Sequence, residues 1–257
     1  MELVDTHCHL QFEKYSDPEA VIKRAVDAGI TRMVCVGTNL ADSQKAVAIA
    51  NTHENIWATV GWHPHETEQY YILPGQIPKR TEDLLRSPKV AAVGECGLDF
   101  HYEDSDVDKQ EIILRFQIEQ LAIKHKLPIV FHVRDAWREF WRIFDSYKGL
   151  RGVIHSFTGG PKQLEQALIR GLVVALNGIV TYTQDRALLE AASKLPLDRL
   201  VLETDAPFLT PAPDRDQICE PRHTLQTAKF LAKLRGESLE ELAAATTSNA
   251  IKLFSLK

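Results

Sequence analysis

The chain has 257 residues, which allows one or two domains, and its 25% charged and 44% hydrophobic content is that of an ordinary globular protein. A net charge of −5 leaves no global electrostatic footprint for nucleic acid, so any phosphate recognition must be local. Cys8, Cys35, Cys96 and Cys219 are scattered without a CxxC, which argues against a disulfide framework and a cysteine zinc cluster.

Glu2 and Asp5 interrupt the N-terminus, leaving no apolar signal core, and no run reaches the length of a membrane span. A reduced, cytoplasmic compartment is expected, with no membrane partner. Strand-like and helix-like segments then alternate. The first strand is Leu3-Val4-Asp5-Thr6-His7-Cys8. A helical pattern over 18–28 puts Val21, Ile22, Ala25 and Val26 on one face and stops at Gly29. Residues 33–36 read as strand two, 41–53 as helix, and 56–60 as strand three, leading into Gly61-Trp62-His63-Pro64-His65. A loop is expected over 66–78 and a short helix over 81–86.

Strand four covers 90–95, followed by a loop over 97–106. The clearest helix is 108–126, with Ile112, Ile113, Phe116, Leu121 and Ala122 on its apolar side. Strand five (128–132), an aromatic-rich helix (136–147), strand six (152–155) and a helix over 161–170 come next. Strand seven is 172–176, its helix 186–194, and strand eight 200–205. Two helices, 224–234 and 238–254, close the chain. Eight strands, each followed by a helix in about 250 residues, predict a single-domain (β/α)8 TIM barrel spanning 1–257. The strands are continuous apolar runs, as burial on both faces requires. A doubly wound open sheet is the alternative fold, but no GxGxxG or phosphate loop supports it.

The apolar strands repeatedly end in ionisable residues. Side chains alternate along a strand, so His7 and His9 share a face while Cys8 points away. His63 follows strand three and Glu95 closes strand four. His132, His155 and Asp205 close strands five, six and eight. In a parallel barrel these strand ends lie together, where such enzymes hold their active sites. Any one of these residues could be a cap or a satisfied core group. Burying all of them unpaired would be costly, and a divalent metal removes that cost. Imidazole and carboxylate without thiolate suit zinc, manganese, iron or cobalt, and magnesium less well. Six ligand candidates exceed the four of a single catalytic zinc, so two metals bridged by a carboxylate are expected, with Glu95 as the bridge.

Asp5-Thr6-His7-Cys8-His9, Gly61-Trp62-His63-Pro64 and Gly94-Glu95-Cys96-Gly97-Leu98-Asp99 form part of an ordered set. It continues with Gln110, Phe116 and Gln117, then Leu127-Pro128, His132 and Arg134, then His155-Ser156-Phe157-Thr158-Gly159. Glu203-Thr204-Asp205-Ala206-Pro207, Asn249 and Leu253-Phe254 complete it. This set resembles the TatD-type metal-dependent deoxyribonucleases of the amidohydrolase superfamily, through nearly the whole chain. The resemblance implies a TIM barrel that hydrolyses phosphodiester bonds of DNA, and metal ligation by His7, His9, Glu95, His132, His155 and Asp205. It also puts His63 beside the scissile phosphate. Two departures stand out. Ser156 replaces a frequent Cys, with little effect expected because it should face away from the metals. Only Glu220-Pro221 is kept of an Arg-Asn-Glu-Pro stretch, in a loop expected to border the substrate cleft.

On this reading, His7, His9 and Asp205 hold one metal, His132 and His155 the other, and Glu95 bridges them. The ions, two zinc, manganese or magnesium, lower the pKa of a water whose proton passes to Asp205 as general base. His63 steadies the phosphate or protonates the leaving oxygen. Glu203 is expected to orient a ligand histidine. Arg134 pairs either with a phosphate or with Asp135 or Glu139 at the surface. DNA, held by local contacts, is the expected partner, with 3′–5′ exonuclease action on single-stranded or frayed ends. A small amide, lactone or aminoacyl ester is the alternative substrate, and a silent metal-binding scaffold the third reading. The oligomeric state is not legible in the sequence; a monomer is compatible with it.

Overall fold

The eight strands are β1 (Leu3–Cys8), β2 (Ile30–Cys35), β3 (Ile56–Val60), β4 (Val90–Asp99), β5 (Ile129–Arg134), β6 (Gly152–Ile154), β7 (Val173–Leu176) and β8 (Leu200–Leu202). They follow chain order in one eight-stranded sheet, every registered pair is parallel, and β8 returns to β1 through a parallel bridge between Ala206 and Cys8. Helices alternate with the strands, which makes this the expected (β/α)8 class. The computed structural model describes residues 1–67, 76–102 and 106–257, with the backbone alone at 76–78.

The chain divides into two compact units, Met1–Cys35 with Ser156–Lys257, and Val36–His155. In the first, β1 is buried at all six positions, because both its faces are covered. Helix α1 (Pro18–Asp27) starts where Asp17 accepts a hydrogen bond from the Ala20 amide and Pro18 supplies a preset φ. Val21, Ile22 and Ala25 are buried as expected, but Val26 is exposed, lying at the border of the apolar stripe. Strand β8 ends at Leu202, three residues short of expectation: the Glu203 amide still donates to the Leu176 carbonyl of β7, but the Thr204 amide turns to the Asp5 carboxylate and the Asp205 amide to β1 at His7. The final helix, Leu239–Phe254, opens on a capping box between Ser238 and Glu241.

In the second unit, α2 (Leu40–Thr52) precedes β3, and α3 (Gln76–Leu84) starts earlier than the helix expected over 81–86. The loop expected over 66–78 lies outside the described residues at 68–75. Strand β4 runs past Glu95 into the segment expected to be loop; of that segment, 103–105 lie outside the described residues. The extension exists because Cys96, Gly97, Leu98 and Asp99 register against Phe131, His132, Val133 and Arg134 of β5. A Cβ at Gly97 would sit 1.8 Å from the His132 carbonyl oxygen, so only glycine allows that approach. Helix α4 (Val107–Phe116) widens into a π turn over Gln117–Ile123. This replaces the uniform helix expected over 108–126. Ile113, Leu121 and Ala122 are buried as expected, whereas Ile112 is exposed and Gln117 takes a core position. Such π turns occur where a helix side chain is needed at a defined place, and here that side chain is Gln117.

Candidate active site and metal centre

In the first unit, strand alternation brings the His7 and His9 rings together, Nε2 to Nε2, at 3.3 Å. Asp205 Oδ1 stands 3.6 Å from His7 Nε2 and 3.3 Å from His9 Nε2. Asp205 gets there by a left-handed backbone turn, φ 61°, a conformation an aspartate tolerates better than most residues. The turn is pinned by the Asp205 amide donating to the His7 carbonyl at 2.8 Å. Beneath it, Asp5 accepts from the amides of His7 (3.1 Å) and Thr204 (3.0 Å) and from the Thr204 hydroxyl (2.6 Å). Asp5 therefore locks the strand that carries the histidines to the turn that carries Asp205. Burial pushes its carboxyl up to about 8, against the pull of those hydrogen bonds. Cys8 lies on the opposite face with its thiol on the Val34 carbonyl, and burial raises its pKa.

Glu203 accepts from the Ser156 amide at 2.7 Å and from Asn177 Nδ2 at 3.2 Å. Asn177 also donates to the Ser156 hydroxyl at 2.9 Å. Ser156 was expected to have little effect; its hydroxyl instead belongs to the network that fixes Glu203.

In the second unit three imidazoles gather on one carboxylate oxygen, Glu95 Oε1. His132 Nδ1 is 2.7 Å away, His155 Nε2 3.5 Å and His63 Nε2 3.6 Å. His132 lies within β5, whereas His63 and His155 follow the ends of β3 and β6. His63, Glu95 and His132 offer ligand atoms within 4.8 Å of one another, so His63 stands where a ligand could. Asp99 holds the far side of this group. Its Oδ2 accepts from His132 Nε2 at 3.0 Å and faces His65 Nε2 at 3.0 Å. Burial works against the Asp99 anion, yet His132 and His65 together hold its carboxyl well below the usual range. For His132, burial is outweighed in the same way by Asp99 and Glu95, and its pKa rises. Burial lowers His63 to about 3, with Glu95 opposing only in part.

Two glutamines of the α4 segment set the backbone of this site. Gln110 accepts from the Asp99 amide at 2.8 Å and donates to its carbonyl at 3.0 Å. Gln117 does the same to Trp62, at 2.7 and 3.0 Å. Each amide side chain pairs with a peptide unit as a neighbouring strand would, one beside Asp99 and one beside His63.

Arg134 makes neither surface pair expected of it. Asp135 bonds His101 at 2.8 Å, Glu139 pairs with Arg138, and the Arg134 guanidinium lies over the Tyr102 ring, 4.7 Å from its centroid. Asp5, Asp99, His65, Asn177, Gln110 and Gln117 carry no role that the sequence alone predicts. A signal existed for Asp99: Glu95, Gly97 and Asp99 share one face of a strand, if the strand is allowed to continue.

The family model for TatD-related DNases matches residues 4–255. A protein of Erwinia amylovora named 3′-5′ ssDNA/RNA exonuclease TatD is 38% identical over 257 residues, covering 96% of each chain. An uncharacterized metal-dependent hydrolase of Bacillus subtilis, YabD, is 34% identical over 255 residues, covering 98% of each. The crystal structure of YJJV, a TatD homologue of Escherichia coli, superposes with a TM-score of 0.92 at 29% identity, covering 99% of this chain and 98% of that one. With the match running through every strand that carries a site residue, the chain belongs to the TatD-related DNase family of metal-dependent hydrolases.

Proposed function

We propose that this protein is a divalent-metal-dependent deoxyribonuclease that removes nucleotides 3′ to 5′ from single-stranded or frayed DNA ends. It acts as one domain over the whole chain, in the cytoplasm. The observation that carries this reading is the gathering of His63, His132 and His155 on Glu95 Oε1. Relatives named as 3′-5′ ssDNA/RNA exonucleases support the polymer and the direction.

The donor set fits divalent cations, since imidazole nitrogens and carboxylate oxygens converge without a thiolate. His7, His9 and Asp205 would hold one ion and His132 and His155 the other, with Glu95 shared; zinc, manganese and magnesium are the candidates. Such ions, when bound, acidify a water and polarise a phosphate oxygen. Asp205, at the edge of its cluster, accepts the proton of the attacking water on a carboxylate oxygen. His63, kept neutral by burial, donates an N–H to the phosphate rather than a proton. Asp99 holds His132 with Nδ1 directed at Glu95, and Glu203, gripped by Ser156 and Asn177, is a fixed carboxyl group that orients its neighbours. Arg134, stacked on Tyr102 and without a carboxylate partner among the described residues, is available to a phosphate.

The test is product analysis on 3′- and 5′-labelled single- and double-stranded oligonucleotides, with metal-stripped protein reloaded with each ion. A ladder shortened stepwise from the 3′ end, faster on single strands, is expected. Internal cuts alone, or no cleavage of nucleic acid beside turnover of a lactone or aminoacyl ester, would overturn the reading.

A further inference from the structure

Next to the His7–His9–Asp205 cluster, the first unit carries an aromatic row that the proposed chemistry leaves unused. Phe12 stacks on the His9 ring, 4.5 Å between centroids and 16° between planes. Phe208 meets Phe12 edge-on at 6.1 Å. Phe208 is 39% exposed, in a loop that follows Asp205 by three residues. The Lys14 ammonium lies 4.1 Å from the centre of the Phe208 ring. Lys14 is exposed and, among the described residues, has no carboxylate partner. In a chain of net charge −5, a cation without a carboxylate partner among the described residues, beside a partly exposed ring, is open to an anion from outside the chain.

A large exposed ring is poorly placed for core packing, and a cation over its face loses little by moving to a nearby anion, because an exposed cation–π contact is weak. A ring and an unpaired ammonium together match the two halves of a nucleotide, the flat base and its phosphate. The loop that presents the ring is anchored at its base, where the Cys219 amide donates to the Pro207 carbonyl at 3.3 Å and the Phe208 amide to the Asp205 carbonyl at 2.9 Å. Phe208 is thus held at a set distance in sequence and hydrogen bonding from Asp205, the proposed base.

We propose that Phe208 and Lys14 form a nucleotide subsite: an unpaired base stacks on Phe208 and Lys14 pairs with the phosphate adjoining it. This inference rests on the nuclease reading and sharpens it. A base must leave the duplex stack to reach the ring, so the subsite favours single-stranded and frayed ends without reading sequence.

The experiment compares Phe208→Ala, Phe208→Trp and Lys14→Gln with the parent, on a single-stranded oligonucleotide, on the same strand with abasic terminal nucleotides, and on methyl p-nitrophenyl phosphate. Phe208→Ala should raise KM for the oligonucleotide about tenfold, in line with the loss of one stacked base. That loss should exceed the loss on methyl p-nitrophenyl phosphate by a similar factor and shrink on the abasic strand. Phe208→Trp should restore KM, which a merely structural role for Phe208 does not predict. Lys14→Gln should raise KM and flatten the log–log salt slope by about 0.7. Equal losses on normal and abasic strands, or an oligonucleotide KM for Phe208→Ala within about twofold of the parent, overturn the subsite. Should Phe208→Ala lose its fold or its metal, Lys14→Gln decides, and an unchanged KM and salt slope overturn the proposal. A parent inert on every oligonucleotide but active on methyl p-nitrophenyl phosphate sinks the nuclease reading itself, and the subsite with it.

Discussion

The two clusters of ionisable groups are built differently. In the first unit, His7 lies in β1 and His9 is the residue just past its end, and Asp205 is delivered by a single left-handed turn locked to that strand through Asp5 and Thr204. In the second, His63, Glu95, His132 and His155 come from four strands, one each, and lean on further polar groups, Asp99 and Gln117. A cluster made by one strand needs only the alternation of side chains. A cluster made by four strands needs every strand end held separately, which is why buried amide and carboxylate partners surround it.

The largest effect should come from the group that all three imidazoles of the second cluster share. Glu95→Gln is expected to abolish hydrolysis and weaken metal retention, read by steady-state kinetics and metal analysis. Activity within about tenfold of the parent, roughly 1.4 kcal/mol in barrier, would remove Glu95 from the centre of the comparison.

Asp205→Asn comes next, sharpening the first cluster. It keeps size and one ligating oxygen but loses the proton acceptor, so turnover should fall by about 10²–10⁴ with metal occupancy only partly reduced. Glu203→Gln should cost on the order of 10–100-fold, because Ser156 and Asn177 hold it as a positioning group. Both variants are compared at matched occupancy. If Glu203→Gln proves the deader enzyme, the base lies on the wrong one of these two carboxylates.

Asp99→Asn probes the outer layer of the second cluster. Metal affinity should drop by about 10–100-fold as His132 loses its anchor. Its effect on the metal-free protein should depend on pH. The raised His132 stabilises the fold fully below the unfolded value of about 6.5 and loses that contribution as pH rises through its folded value. The depressed Asp99 stabilises above the unfolded value of about 3.9 and loses its contribution as pH falls through its folded value. The pair is therefore worth most between about pH 4 and 6.5. Asp99→Asn should lower the Tm of metal-free protein more at pH 6 than at pH 9; equal losses would break the Asp99–His132 assignment.

The smallest effects should be those of Cys8→Ser and Cys96→Ser. Both thiols are buried on strands that carry proposed ligands, and Cys8 faces the Val34 carbonyl, away from His7 and His9. Metal content and turnover should stay within about threefold, roughly 0.7 kcal/mol. Loss of metal from the Cys8 variant would show that strand alternation does not separate the first cluster from the core.

Much of this was legible in the residues themselves. Continuous apolar runs interrupted by helical periodicity revealed eight strands and their order, because a buried parallel strand and an amphipathic helix impose different spacings on apolar side chains. His7 and His9 were legible as a pair for the same reason, since a two-residue period leaves them no choice of face. The ends of β4 and β8 were not. Whether Glu95 closes its strand depends on whether Gly97 can lie against β5, and whether Asp205 continues its strand depends on what Asp5 offers to Thr204. The sequence determined which groups could bind metal; only the tertiary structure decided which ring nitrogen faces Glu95 and which faces Asp99. That choice rests on hydrogen bonds between residues 33 to 37 positions apart, and no local pattern encodes a partner at that distance.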